Sequence, residues 1–445
     1  MSGSVLAINA ADLWFDWEID TWPLLMALLV GLSCGLLGTV FLVRRTALLG
    51  DAVSHSVLPG IAGGLLLAGY LVKQDDGHVF GTSITMLFIM GGALLAALAS
   101  TMLIEALHRY SRIKPDTALG AVFPAFFAAG VILIRIVARN AHFDEDCVFY
   151  GSLEVIGEGS QVLPTLLCSI LVILFFLGFY KEILITSFDR QLSRSLGLPT
   201  GLVNLLLISL LALAVVVAFE AVGAILVIAL LIIPPATAQL LSYRFDRVLL
   251  LAAFFGLSAA LLGSWMTILL EIVGFETARA PTVAVVAGLQ FLLALTFGPE
   301  QGLLVQGLRK RALKSRILEE NLLGAVYRLG GNPPAEPVLL EDAAARLGYA
   351  PANLSSALRR CISRGELTAD KAAVSLTPQG EQKVAEIIRG HRLWESYMIH
   401  EMGAAADHVH DAADQIEHHL QPGLVKELEE LLGNPAVDPH GSQIP

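Results

Sequence analysis

The stretch LVNLLLISLLALAVVVAFEAVGAILVIALLIIPPATAQLL, residues 202–241, decides the fold of this chain. Among its forty residues only Glu220 carries a charge. A helix needs about 20 apolar residues to cross the hydrocarbon core of a bilayer. The stretch is therefore long enough for two membrane spans, joined near Glu220 either as a tight hairpin or as one broken helix.

Similar apolar segments fill the first two thirds of the chain. Of its 445 residues, 55% are hydrophobic and only 16% are charged, whereas a soluble protein carries about a quarter charged residues. Residues 1–20 are acidic and rich in tryptophan, so they predict no cleavable signal peptide. Nine spans are predicted, at about 22–43, 54–72, 84–107, 118–138, 162–179, 202–219, 222–241, 246–272 and 281–298.

Basic residues indicate the orientation of these spans. Cytoplasmic loops carry an excess of Lys and Arg, and here the basic clusters follow spans one, three, five, seven and nine. These clusters lie at 44–45, 109–114, 181–194, 244–247 and 309–316. The alternation predicts an N-terminus outside and a C-terminal domain in the cytoplasm.

One acid and one imidazole interrupt the apolar residues after the first span, in TALLGDAVSHSVLPGIAGG (46–64). Asp51 and His55 are four residues apart, so on a helix they share one face. Ionisable side chains in a membrane are costly and usually face a polar pathway or a partner. A carboxylate and an imidazole suit Mn²⁺, Zn²⁺ or Fe²⁺. The alternative is structural, with Asp51 as the N-cap of a helix that begins near residue 52 and His55 hydrogen-bonded to a neighbour.

Residues from about 22 to 300 resemble the membrane subunit of the zinc, manganese and iron ABC importers. The motifs that carry this resemblance are LLGDAVSHSVLPGIAGG (48–64), PDTALGAVFPAFFAAGV (115–131), KEILITSFDRQLSRSLGLP (181–199), EAVGAILVIALLIIPPATAQLL (220–241) and APTVAVVAG (280–288). The resemblance implies that Asp51 and His55 take part in metal passage. It also implies that Ser187, Phe188 and Asp189 couple the chain to an ATPase; the neighbouring Arg190 departs from the family pattern.

The same resemblance implies a bacterial inner (plasma) membrane location and three partners. These are an ABC ATPase subunit, an extracytoplasmic metal-binding protein and a second permease subunit, which is either identical or a sister chain. No GxxxxGK[ST] loop occurs in the sequence, so this chain is not expected to bind nucleotide or to act as an enzyme. Transport then depends on a separate ATPase, or else it is passive.

After residue 316 the chain has the composition of a soluble domain. LLEDAAARLGY and APANLSSALRRCISRGEL predict a helix–turn–helix, and KAAVSLTPQG predicts a short wing. The fold class expected is an all-α polytopic membrane protein followed by a cytoplasmic winged helix and a helical dimerisation domain. The predicted boundaries are 1–300 for the permease, 301–316 for a basic juxtamembrane linker, 317–380 for the winged helix and 381–445 for the metal-binding and dimerisation domain.

Potential metal ligands are concentrated in this last domain, at helical spacing in two groups. They are His391 and Glu395 in the first group, and His410, Asp414, Glu417 and His418 in the second. On a helix the second group forms one stripe. Nitrogen and oxygen donors without thiolate favour Mn²⁺, and less exclusively Fe²⁺ or Zn²⁺. The alternative is a solvated, charged helix face.

Residues from about 317 to 445 resemble the diphtheria-toxin-repressor and manganese-repressor family. The stretches that match are GHRLWESYM (390–398), HVHDAADQIEHHL (408–420) and LLGNPAVDPHGSQIP (431–445). The resemblance implies two sites, one of His391, Glu395 and His410 and the other of Asp414, Glu417 and His418. A carboxylate at 414 is typical of manganese sensors. Two residues depart from the family pattern: its first helix supplies a ligand at the position of Asn321, and manganese sensors have an acidic residue at the position of Gly324.

Arg359, Arg360 and Arg364 lie on the predicted recognition helix and are candidate DNA phosphate contacts. However, residues 316–445 contain 11 Lys and Arg against 19 Asp and Glu, a net charge of −8. DNA affinity depends on the neutralisation of phosphates. We therefore favour a metal-sensing domain that gates transport. The alternative is a membrane-anchored, metal-responsive transcription regulator.

Overall fold

Apolar helices make up the first of the two units into which the chain divides, Met1–Val305, and the second unit is Gln306–Pro445. The computed structural model describes residues 20–46, 48–71, 83–137, 162–275, 277–331, 336–371, 373–405, 409, 413, 416, 418, 420, 422–441 and 443–445.

The described helices of the first unit are numbered in chain order. They are α1 (Thr21–Val43), α2 (Leu48–Ser56), α3 (Leu58–Leu71), α4 (Ser83–Tyr110), α5 (Pro115–Val137), α6 (Val162–Gly178), α7 (Tyr180–Phe188), α8 (Arg190–Ser195), α9 (Thr200–Val222), α10 (Ala224–Leu241), α11 (Phe245–Ile272) and α12 (Arg279–Phe297).

Within the described ranges, seven helices are long and apolar enough to cross a membrane, or eight if the bent pair α6 and α7 forms one span. This is fewer than the nine predicted. The predicted span 54–72 is interrupted at Val57, where α2 ends and α3 begins. Pro59 has no N–H to donate to the carbonyl of His55, and its ring disfavours helical backbone in the preceding residue. The apolar residues of this segment are therefore divided between two short helices.

The predicted span 162–179 also differs in detail, whereas the two spans predicted within 202–241 are both present. At Phe179 the chain bends by 73° from α6 into α7, so the apolar run from 162 continues into a helix of another direction. The stretch 202–241 forms two helices, each long and apolar enough to cross a membrane. They meet at Gly223, whose φ of 81° is a left-handed conformation that favours glycine.

Helix α1 lies against α10 and α11. It approaches α11 closely because Gly31 faces Gly256: a Cβ atom added to Gly31 would lie 2.6 Å from the carbonyl oxygen of Gly256. At the start of α1, Asp20 forms a buried ion pair with Arg279 at the start of α12. These contacts fix α1 along its length within the apolar core of the first unit.

The second unit is a winged helix followed by further helices. Its elements are α13 (Leu303–Leu329), β1 (Val338–Leu339), α14 (Leu340–Leu347), α15 (Pro351–Ser363), β2 (Leu367–Asp370), β3 (Ala373–Leu376), α16 (Pro378–His400) and α17 (Pro422–Leu431). All but the first three residues of α13 belong to this unit. The stretch 301–316, predicted as a linker, therefore lies mostly in a helix.

The predicted helix–turn–helix and wing are both present. Helix α14 ends at Gly348, whose φ is 71°, and α15 begins with Pro351, which suits a first helical position. Strands β2 and β3 form the antiparallel wing, and β1 pairs with the other edge of β3. A core of apolar side chains that includes Leu322, Leu354 and Leu367 joins the helices to this sheet.

Candidate functional site

Helix α2 carries the acid and the imidazole predicted for metal passage. It begins at Leu48, three residues before Asp51, so Asp51 lies inside the helix and is not its N-cap. Asp51 and His55 are therefore one helical turn apart, as their spacing predicts. The side chain of Asp51 lies outside the described residues, whereas that of His55 is half-buried.

The ring of His55 packs against two aromatic rings of α5. Its centroid is 5.3 Å from that of Phe123 and 5.6 Å from that of Phe127. On the next position of α2, the hydroxyl of Ser56 is 2.7 Å from that of Ser100 on α4, and both are buried. Helix α2 also contacts α9 and α10. The segment that bears His55 thus lies among four other helices.

Helix α10 contacts α1 and α2, and it contains two consecutive buried prolines, Pro234 and Pro235. Proline has no N–H, so the carbonyls four residues earlier, including that of Leu231, lose their partners within the helix. A Cβ atom on Gly38 of α1 would collide with the Leu231 carbonyl, and one on Gly50 of α2 would collide with the Leu231 side chain. Leu231 therefore contacts both the first span and the motif helix.

The three predicted coupling residues have three different environments. The Ser187 hydroxyl is partly buried and donates to the carbonyl of Ile183 at 2.6 Å. Phe188 is 64% exposed, and its ring is nearly perpendicular to that of Phe245, with the centroids 6.0 Å apart. Asp189 is the N-cap of α8: its Oδ1 accepts from the two backbone N–H groups at 191 and 192, at 2.8 and 2.9 Å. Asp189 therefore fixes the start of α8.

Arg44 has a role that its sequence did not indicate. The sequence marks it only as part of a positive cluster at the end of a span. In the structure its guanidinium donates to Ser187 Oγ at 3.0 Å, to Asn204 Oδ1 at 2.9 Å and to Thr186 Oγ1 at 2.9 Å. The end of α1 is thereby joined to α7 and to the first turns of α9. These three ends therefore lie together.

In the second unit, two histidines of the predicted metal sites have oxygen partners. On α16, His391 Nε2 is 3.1 Å from Glu395 Oε1, and both side chains are buried. His418 faces α13: its Nδ1 is 2.7 Å from Glu320 Oε2, and its Nε2 is 3.0 Å from Asn321 Oδ1. The structure therefore brings His418 to the first helix of the unit.

A cavity of about 870 Å³ opens between α13 and α16. It is lined by His391, His418, Glu320 and Asn321, among others. Two ligands of one metal ion, each bonded at about 2.1 Å and at right angles, are roughly 3 Å apart. The separations of His391 from Glu395 and of His418 from Asn321 match that value. The same separations are those of the hydrogen bonds described above, and imidazole nitrogen with carboxylate or amide oxygen are donor types that Mn²⁺, Fe²⁺ or Zn²⁺ accept.

The other predicted ligands, His410, Asp414 and Glu417, lie outside the described residues. Among the residues that are described, no group of three or more His, Cys, Asp or Glu side chains is placed to hold a metal ion. The membership of the two sites predicted from the repressor resemblance therefore stays a prediction.

Glu320 is a residue of this region that the sequence analysis missed. Burial raises the pKa of its carboxyl group, but hydrogen bonds from His418 and Arg316 outweigh burial, and the pKa is lowered from its usual value. The group is therefore an ionised acceptor at neutral pH. The only signal in the sequence was its position beside Asn321.

Two of the three arginines predicted to contact DNA have an acidic partner inside the unit. Arg360 Nε and Arg364 Nη1 both bind the buried carboxylate of Glu319, the second at 2.8 Å. Arg359 is exposed, and its Nε donates to the carbonyl of Ser355 at 3.3 Å. Arg360 of α15 and Arg364, which caps its C-terminal end, therefore direct their charges towards α13.

Comparison with known proteins agrees with this division of the chain. Residues 16–298 match the model of the ABC 3 transport family. Residues 377–445 match the iron dependent repressor, metal binding and dimerisation domain.

Individual relatives cover either the first unit or both. The manganese transport system membrane protein MntD of Bacillus subtilis is 33% identical over 303 residues, which is 66% of this chain and 96% of MntD. A probable metal transport system membrane protein of Chlamydia trachomatis is 28% identical and covers 96% of both chains. The solved structure of PsaBC from Streptococcus pneumoniae in complex with Fab has 30% identity and a TM-score of 0.53, covering 63% of this chain and 92% of that one.

The family match spans more than half of the sequence and contains all the membrane-spanning helices described above. The chain therefore belongs to the ABC 3 transport family, and it carries a C-terminal region that matches the metal-binding and dimerisation domain of iron-dependent repressors.

Proposed function

We propose that this chain is the permease subunit of an ABC transporter that imports divalent metal ions, with manganese as the favoured substrate. The observation that carries this proposal is the family match over residues 16–298. The names of relatives support the substrate class, since MntD of Bacillus subtilis is a manganese transport protein and TroD of Treponema pallidum is a zinc transport protein. Iron and zinc remain alternative substrates.

The test is uptake by the complex reconstituted in vesicles with its ATPase. We expect Mn²⁺ uptake to require ATP. Excess Zn²⁺ or Fe²⁺ should reduce the rate of Mn²⁺ uptake in proportion to the extent to which each is itself transported. Uptake at the same rate without ATP would indicate a passive channel. Absence of uptake for all three metals would refute the proposed function.

We propose that metal passes beside α2, along Asp51 and His55. One turn separates the two residues, and α2 lies among α4, α5, α9 and α10 instead of at the edge of the bundle. Ionisable residues in such positions usually line a pathway. Asp51→Ala is expected to abolish uptake while the amount of protein in the membrane is unchanged; normal uptake would exclude this pathway.

We further propose that the second unit senses internal metal and limits transport. Its ligands would be His391, Glu395 and His410 in one site and Asp414, Glu417 and His418 in the other. Support comes from the match of residues 377–445 and from the cavity that His391 and His418 share. A bound metal cation would hold together the helices that carry its ligands.

Feedback is tested by loading vesicles with Mn²⁺ on the side of the second unit. We expect internal Mn²⁺ to slow wild-type uptake but to leave a Glu417→Ala, His418→Ala double variant unaffected. His400→Ala is a matched control, because that histidine is exposed at the end of α16. An identical inhibition curve for the double variant and the wild type would reject the feedback proposal.

We assign the second unit to regulation of transport instead of DNA binding, because Glu319 already pairs with Arg360 and Arg364. The partners proposed for the complex are a separate ABC ATPase, an extracytoplasmic metal-binding protein and a second permease chain. The location proposed is the bacterial plasma membrane, with the second unit in the cytoplasm. Titration of Gln306–Pro445 with duplex DNA in the presence of Mn²⁺ tests the assignment; tight, sequence-dependent binding would favour the transcription regulator.

A further inference from the structure

Arg44 occupies the junction between the first span and the helix that carries the metal motif. It is the C-cap residue of α1, and its backbone N–H bonds to the carbonyls of Val40 and Leu42. The chain then turns through Arg45 and enters α2 at Leu48. Thr46 closes this turn by donating its N–H to the carbonyl of Phe41 at 2.8 Å. Only three residues therefore separate Arg44 from the first residue of α2.

The guanidinium of Arg44 joins this junction to the predicted coupling segment. Its acceptors Thr186 Oγ1 and Ser187 Oγ lie at the end of α7, directly before the Asp189 cap of α8. A third donor bonds to Asn204 of α9. Arginine holds several acceptors at once because its donors form a rigid, planar fork.

Both hydroxyl groups are oriented to accept from this cation. Thr186 donates to the carbonyl of Glu182 at 2.7 Å, and Ser187 donates to that of Ile183 at 2.6 Å. Each hydroxyl has one proton, so its oxygen is left to accept from Arg44. The three acceptors are neutral, and hydrogen bonds from a charged donor to such groups are stronger than those between neutral groups.

We infer that Arg44 is a positioning residue that transmits displacement of the coupling segment α7–α8 to the metal motif on α2. This inference rests on the proposed transport function. Phe188 and Leu192 leave the coupling segment partly apolar and exposed, at 64% and 48%, so the segment presents a surface to a partner. A push on that surface moves Thr186 and Ser187, and through Arg44 it moves the end of α1 and the start of α2. A purely structural anchor would hold the same groups without changing how ATP hydrolysis is linked to transport.

The test is the number of metal ions imported per ATP hydrolysed by the complete complex, with its ATPase, in vesicles. Arg44→Gln keeps a polar side chain but removes the charge and the fork. We expect it to lower this ratio by about tenfold, while the complex still hydrolyses ATP. Arg45→Gln is the matched control, because Arg45 is adjacent and its side chain is exposed; its ratio should equal that of the wild type.

A second variant decides the matter if Arg44→Gln fails to assemble. Thr186→Val preserves the shape of the side chain and removes one acceptor, so we expect the ratio to fall by about threefold. A wild-type ratio of metal imported to ATP hydrolysed in an assembled Arg44→Gln complex would overturn the inference. If Arg44→Gln does not assemble, the same ratio in Thr186→Val would overturn it. A wild-type complex without ATP-dependent metal uptake would instead refute the proposed function, so the two failures are distinguishable.

Discussion

A Glu319→Gln substitution tests whether one buried carboxylate holds α15 against α13. The Glu319 side chain is 4% exposed and accepts from Arg360 and Arg364, as well as from the Ser315 hydroxyl at 3.0 Å. Glutamine has nearly the same size, so the substitution removes the charge and leaves the packing in place. The stability lost therefore measures the two ion pairs and the hydrogen bond.

The expected magnitude follows from the exposure of the partners. The side chains of Arg360 and Arg364 are 41% and 55% exposed, so solvent screens both ion pairs. Each pair then contributes about 0.5–1 kcal/mol, and the bond from Ser315 is weakened without being lost. Glu319→Gln is expected to lower the free energy of unfolding by about 1–2 kcal/mol.

The assay is urea unfolding of Gln306–Pro445, followed by circular dichroism. With a slope of about 2 kcal/mol per molar urea, the midpoint should fall by about 0.5–1 M. Glu427→Gln is the control, because Glu427 is exposed on α17; its effect should be within about 0.5 kcal/mol. Equal midpoints for the two variants would show that the carboxylate of Glu319 does not hold α15.

Three further predictions concern other buried groups. The pKa of Glu320 is lowered from its usual value of 4.5, so its ionised form stabilises the second unit at pH values above 4.5. In an acid titration, the wild type should lose this stability as the pH falls through the lowered pKa, and Glu320→Gln should lose less. A difference between the two that does not change with pH would contradict this cause. Burial, with smaller contributions from Glu366 and Glu319, raises the pKa of the Cys361 thiol to about 12. A maleimide should therefore label Cys361 only after unfolding. As a control, the thiol of a Ser363→Cys variant, at an exposed position, should react at once. Rapid labelling of folded Cys361 would show that its site opens. Gly31→Ala should force α1 away from α11, lower the free energy of unfolding by about 1–3 kcal/mol and lower the melting temperature in detergent. Gly288→Ala is the control, because a Cβ atom there meets open space. Equal melting temperatures for the two variants would contradict the close approach of α1 and α11.

Patterns within one helix allowed most of the fold to be predicted from the sequence. The apolar runs predict the spans, and the i, i+4 spacing places Asp51 and His55 on one helix, as the structure confirms. The same runs overestimated the number of spans, because hydropathy averaged over 54–72 does not register the break before Pro59. The winged helix was predictable because Gly348 and Pro351 mark the turn between its two helices.

Contacts between distant residues could not be predicted in this way. Arg44 lies 142 to 160 residues from its three acceptors, and His418 lies 98 residues from Glu320. Nothing in the spacing of a sequence connects residues so far apart, so Arg44 appeared only as a positive charge. For the same reason the sequence did not indicate that Arg360 and Arg364 pair with the buried carboxylate of Glu319, and their predicted contact with DNA stays a prediction.

The most direct test of a metal pathway beside α2 is the initial rate of ATP-driven Mn²⁺ uptake by complexes that carry His55→Ala. His440→Ala provides the control, because it removes an exposed imidazole from the second unit. We predict that His55→Ala abolishes uptake, with assembly and protein content unchanged, and that His440→Ala transports at the wild-type rate. Wild-type uptake by the His55→Ala complex would contradict the account.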